Sequence, residues 1–90
     1  MRADKDKITR LLKTSRGQID GVLKMIDEDK YCIDIANQIM ASEAVLKKAV
    51  KEILRAHIEG CVYSAFADGC EAEKEKKIDE LIAVFDKMTK

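Results

Sequence analysis

From Tyr31 the chain runs with no proline, and with no glycine before Gly60, through apolar positions at Ile35, Ala36, Ile39, Leu46, Val50, Ile53, Leu54 and Val62. These recur at helical spacing, so the segment reads as one continuous helix from Tyr31 to about Phe66. In a chain of 90 residues so little sequence is left over that a helix of that length cannot be covered by its own chain. Helices of other subunits are needed to bury it. A single copy of this size can withdraw only about 60–65% of its unfolded surface from water.

Ahead of that helix, Ile8, Leu12, Ser15, Ile19, Val22 and Ile26 step alternately by four and three, a heptad seam that Leu11 and Leu23 widen. A first helix is expected from about Ala3 to Asp27. Asp27-Glu28-Asp29-Lys30 is a polar break in which Asp29 can cap the helix that follows. Beyond the stop signal Asp68-Gly69, a third helix is expected from about Glu71 to Met88, with Ile78, Leu81, Ile82, Phe85 and Met88 on one side. Absence of proline, only four glycines and 38% charged residues fit an all-α chain. No repeat or linker divides it, so residues 1–90 read as one helical domain.

The formal charge is zero but unevenly placed. Residues 1–24 hold seven Lys/Arg against three Asp/Glu, and residues 47–55 hold four against one. Folding can merge two such stretches into one positive field, although on charge alone a solvated helix surface is the simpler account. No apolar run reaches the ~20 residues of a membrane span, and the start, Met1-Arg2-Ala3-Asp4-Lys5-Asp6-Lys7, is too charged for a signal-peptide core. A cytoplasmic protein is expected. Three cysteines, an odd number, suit thiols kept reduced for metal or redox chemistry.

His57 and Cys61 lie four apart, one helical turn, and can grip one ion together. At ~100° per residue, Cys32 falls on the same stripe, with His57 about 20° to one side of it and Cys61 about 20° to the other. Along a helix rising ~1.5 Å per residue, however, Cys32 stands about 37 Å from His57. One chain cannot close this site. Two antiparallel copies can, by placing Cys32 of one beside His57 and Cys61 of the other, with a second equivalent site generated by the two-fold axis. Ile35, Ile39, Leu46, Val50 and Ile53 form the apolar seam between the sites, interrupted by Glu43. Two thiolates and an imidazole favour Cu(I) or Zn(II), and a three-ligand set suits trigonal Cu(I). Taken singly, each of the three side chains is better explained as an ordinary core residue; the case rests on all three sharing one stripe.

Tyr31-Cys32-Ile33-Asp34-Ile35, Gln38-Ile39 and His57-Ile58-Glu59-Gly60-Cys61-Val62, with Arg16-Gly17-Gln18-Ile19 upstream, resemble the copper-sensing operon repressor family of bacterial regulators. The resemblance implies a three-helix protomer with one long central helix, antiparallel dimers assembled into a tetramer, and DNA binding without a helix-turn-helix. It further implies an apo form that represses a metal-export operon and that Cu(I) releases from operator DNA. By the same resemblance Cys32, His57 and Cys61 map onto the copper ligands, and Tyr31 onto a position just outside them. The family's acidic residue in the third helix falls near Lys77, with Glu73, Glu75 and Glu80 as neighbours. Nickel and cobalt sensors of the family use additional histidines, whereas this chain has one.

Lys13 and Arg16 lie beside the first seam, and Lys48, Lys51 and Arg55 belong to the second basic stretch. Arg16, Lys48 and Lys51 match family positions that contact DNA; lysine keeps the charge there but loses the bidentate fork, which favours phosphate over base recognition. The alternative of a persulfide or thiol-oxidation sensor uses Cys32 and Cys61 but leaves His57 without a role. A copper carrier leaves the basic stretches unexplained, and a structural oligomer predicts no metal affinity. Nothing resembles a nucleophile–base pair or a phosphate loop, so an enzyme is not expected. Cys70 follows the expected turn and falls outside the stripe.

Overall fold

A computed structural model of the protein describes residues 1–62 and 71–88, without the side chains of residues 61, 62 and 71. Helix α1 spans Lys5–Asp27. It opens at Asp4, whose carboxylate accepts the backbone N–H groups of Asp6 at 3.0 Å and Lys7 at 3.4 Å, two donors that would otherwise lack a partner inside the helix. It closes through Asp29, whose φ of 53° is left-handed. There the N–H of Lys30 donates to the carbonyl of Met25 at 3.0 Å and that of Asp29 to Ile26 at 3.1 Å. This is a helix-terminating arrangement that usually employs glycine. Asp29 therefore ends α1 instead of capping α2, whose N-cap is Tyr31 with no side-chain hydrogen bond.

Helix α2 spans Cys32–His57 and passes into a π-helical turn, Ile58–Val62. The expected α-helix thus changes its winding at Ile58; its expected continuation to Phe66 lies outside the described residues. A π turn bonds to the fifth residue rather than the fourth, and Gly60, a poor helix former, stands in the middle of it. Arg2 lies across that glycine, so closely that a Cβ there would meet Arg2 Cδ at 2.9 Å. Helix α3 spans Glu71–Met88, the expected bounds.

α1 and α2 pack as an antiparallel hairpin around a small core of Ile8, Val22 and Ala49. At its centre Ser15 and Ser42 are buried and share a 2.6 Å hydrogen bond between their hydroxyls. These small side chains let the two helices approach closely. Toward the chain's N-terminal end, Lys7 Nζ reaches Glu52 Oε2 at 3.2 Å and ties the start of α1 to α2. Among the described elements α3 packs only against the π turn.

The protomer measures 57 × 28 × 12 Å with a radius of gyration of 17.6 Å, where a compact domain of this length would have about 12 Å. One flank of the hairpin is apolar and open: Leu12, Ile19, Leu23 and Ile26 of α1 and Ile39, Leu46 and Val50 of α2 are each 37–59% exposed. Ile19, Leu23, Ile39 and Leu46 line a groove of about 310 Å³ with Glu43 also in its wall. Among the described residues no helix is long and apolar enough to cross a membrane.

Candidate metal centre

Cys32 is the first residue of α2 and is exposed; His57 is its last and is half-buried. Ser42 faces α1, and the helical period then turns Cys32, Ile39, Leu46 and His57 onto the same flank of α2, the apolar one. The 26-residue span of α2 separates Cys32 from His57 by about 37 Å at ~1.5 Å per residue. Among the described residues no three His, Cys, Asp or Glu side chains come together as a metal site. Cys61 belongs to the π turn, one wide turn beyond His57; its side chain, like Cys70, lies outside the described residues. The wider winding moves Cys61 around the axis relative to its α-helical position, yet keeps it about one turn from His57.

Around His57 is a cavity of about 500 Å³ lined by Met1, Arg2 and Ile53. The position of Met1 and Arg2 beside His57 and the π turn has no signal in the sequence, because it follows from the antiparallel hairpin bringing the start of α1 to the end of α2. Tyr31, directly before Cys32, is 68% exposed. Of the acids of α3 considered from sequence, Glu73 and Glu75 are exposed and Glu80 lies 3.9 Å from Lys77.

Lys13, Arg16, Lys48, Lys51 and Arg55 are all exposed. With Ser15 turned to α2, Arg16 points to the apolar flank and Lys13 away from the hairpin partner; with Ser42 turned to α1, Lys51 points outward and Lys48 and Arg55 toward the opposite flank. Arg55 also engages Glu52 at 3.4 Å. The Glu52 carboxyl is held below its ordinary pKa, chiefly by its hydrogen bond from Lys7, aided by the charges of Lys7 and Arg55. Neither Lys7 nor Glu52 was singled out by sequence reasoning, since the two are remote from each other along the chain.

Residues 4–87 match the family described as metal-sensitive transcriptional repressor. The chain belongs to that family. Within the metal-sensitive transcriptional repressors, it is 40% identical over 87 residues to the copper-sensing transcriptional repressor CsoR of Bacillus subtilis, covering 97% of this chain and 83% of the relative. To the CsoR of Mycobacterium ulcerans it is 39% identical over 71 residues, or 79% of this chain and 58% of that one. The chain thus spans less than two thirds of the mycobacterial relative. The crystal structure of the copper-sensing repressor CsoR with Cu(I) from Geobacillus thermodenitrificans superposes with a TM-score of 0.83 at 33% identity, covering 100% of this chain and 94% of that one. The all-α, three-helix architecture is therefore that of a metal-sensitive transcriptional repressor.

Proposed function

We propose that this chain is a Cu(I)-responsive transcriptional repressor that holds operator DNA when metal-free and lets go when Cu(I) binds. The observation that carries the reading is the placement of Cys32 and His57 at opposite ends of one continuous helix, on the flank that the protomer leaves apolar and open. The copper-sensing names of its relatives and its likeness to a Cu(I)-bound repressor support the same ion. Cys32 of one subunit, with His57 and Cys61 of an antiparallel partner, supplies two sulfurs and one nitrogen, a soft set suited to three-coordinate Cu(I). Dimers pair again into a tetramer.

In this reading Arg16, Lys48 and Lys51, with Lys13 and Arg55, come from several subunits to form the field that meets phosphate. No protomer turns them all to one side, so their joint fit to a duplex depends on subunit arrangement. Ligation across the interface ties the start of one α2 to the end of the other and favours one arrangement over another. A coupling of about 1–3 kcal/mol would change operator affinity roughly 5- to 150-fold. Tyr31 sits beside Cys32 and positions it.

An anaerobic titration tests this: one Cu(I) per protomer and loss of binding to DNA upstream of the gene are expected. X-ray absorption should show two sulfurs and one nitrogen. An all-sulfur site, or unchanged coordination in His57→Ala, would overturn the assignment and favour persulfide chemistry at Cys32 and Cys61. Mixing Cys32→Ala with Cys61→Ala chains should produce heterodimers with one intact site, and absence of any tight site would exclude the intersubunit arrangement.

A further inference from the structure

We propose that Glu43 and Lys47 form two reciprocal ion pairs between subunits, and that these set the register in which one α2 lies against the other. The inference rests on the intersubunit site proposed above and identifies what holds that site in alignment.

Glu43 lines the open apolar groove beside Leu46. Lys47 follows one turn later and is exposed. Glutamate four residues before lysine is a favourable spacing for an ion pair within a helix, yet neither side chain makes an ion pair among the described residues. At ~100° per residue Glu43 lies about 20° and Lys47 about 60° from the direction of Cys32, so both border the flank that carries the ligands. Glu43 is itself exposed, so its carboxylate at the wall of this groove is open to a cation from a second copy.

The two-fold axis of an antiparallel pair crosses α2 midway between the ligands that meet. Matching Cys32 with His57 puts the crossing between Ala44 and Val45; matching it with Cys61 puts it between Leu46 and Lys47. Glu43 and Lys47 are symmetric about Val45, inside that short span. Each therefore faces the other's counterpart across the axis, and the patch is self-complementary, as a two-fold interface demands. A parallel, in-register pairing would instead set Glu43 against Glu43 and Lys47 against Lys47. The same two charges thus favour the arrangement that closes the metal sites and oppose one that cannot. Lys47 is thereby assigned to the subunit interface rather than to DNA.

The test uses Glu43→Lys and Lys47→Glu chains of the full protein, with subunit exchange followed by native mass spectrometry. Each variant alone places like charges opposite each other twice, and its homodimer should weaken about tenfold or more. Mixed one to one, they restore both interchain pairs while the charges along each chain remain repulsive. Heterodimers should then exceed the roughly one-half share of random two-state pairing, and should bind Cu(I) at both sites. Random pairing would overturn the proposal. If either variant fails to fold by circular dichroism, Glu43→Gln and Lys47→Gln replace them. Each should then weaken the dimer by a similar factor and the double variant should add little, whereas independent, multiplying effects would overturn the pairing. Random pairing alongside one tight site in the Cys32→Ala/Cys61→Ala mixture removes the ion pairs and leaves the metal reading standing. No tight site in that mixture removes the metal reading itself.

Discussion

Ser15 and Ser42 show how much one buried hydroxyl pair carries in so thin a core. Ser15→Ala would strand the Ser42 hydroxyl in a place water does not reach, at a cost of about 1–3 kcal/mol. Replacing both by alanine should cost much less, because no unpaired polar group remains. Chemical denaturation of the two single variants and the double one measures this coupling directly. Glu52 makes a second residue-scale prediction. Its carboxyl is depressed by Lys7 first and Arg55 second, so its ion pairs stabilise the fold above the pKa it has when unfolded. That contribution fades as pH falls through the lower, folded-state value. Glu52→Gln should lower stability by a constant amount at neutral pH and flatten the acid limb of unfolding followed by circular dichroism, so that variant and parent converge at low pH. That Cys32 and His57 lie at the two ends of one helix, on one flank of it, was legible because spacing alone places them there. The Lys7–Glu52 pair and the approach of Met1 and Arg2 to His57 were not, since they depend on how the hairpin closes.

Helix ends divide into those that sequence marks and those that it does not. α3 begins and ends as expected because its apolar positions repeat without interruption from Ile78 to Met88. The end of α2 is unmarked: Ile58-Glu59 is an ordinary helical dipeptide, and the change to π winding comes before Gly60. Asp29 misleads for a different reason. Aspartate is common before helices, but here its backbone occupies the left-handed region that closes the preceding one. Asp29→Gly should therefore stabilise the chain by about 0.5 kcal/mol, the relief of left-handed strain being partly offset by a more flexible unfolded chain. Thermal melts of the two proteins at equal concentration check the sign. A lower melting temperature would show that the Asp29 side chain contributes something glycine cannot.

At the scale of the whole molecule, ligand and DNA functions should separate under mutation. His57→Ala should greatly weaken copper's ability to release DNA, because the bond tying one helix end to its partner's is lost even where two thiolates retain Cu(I), and should leave apo binding nearly intact, because His57 lies outside the basic stretches. Arg16→Ala or Lys51→Ala should lower apo affinity and flatten its salt dependence while Cu(I) binding persists. Fluorescence anisotropy with labelled operator at several salt concentrations, with and without Cu(I), measures both. Full release of the His57→Ala protein by copper would break the proposed link between site and surface. The need for partners was readable from the length of the central segment, whereas the extent of the open flank required the hairpin's geometry.

The length of α2 also has a bearing on the duplex itself. In the proposed antiparallel dimer, two metal sites at the ends of the helix pair would stand about 37 Å apart at ~1.5 Å per residue, close to the roughly 34–36 Å of one turn of B-DNA. Movements at the two ends of a dimer would then be felt on the same side of the double helix, one turn apart. The operator should accordingly be phased. Inserting about half a turn of base pairs at its centre should abolish binding, and inserting a whole turn should restore part of it. Equal affinity for both spacings in a mobility-shift assay would mean that the rod length of α2 and the pitch of DNA are unrelated.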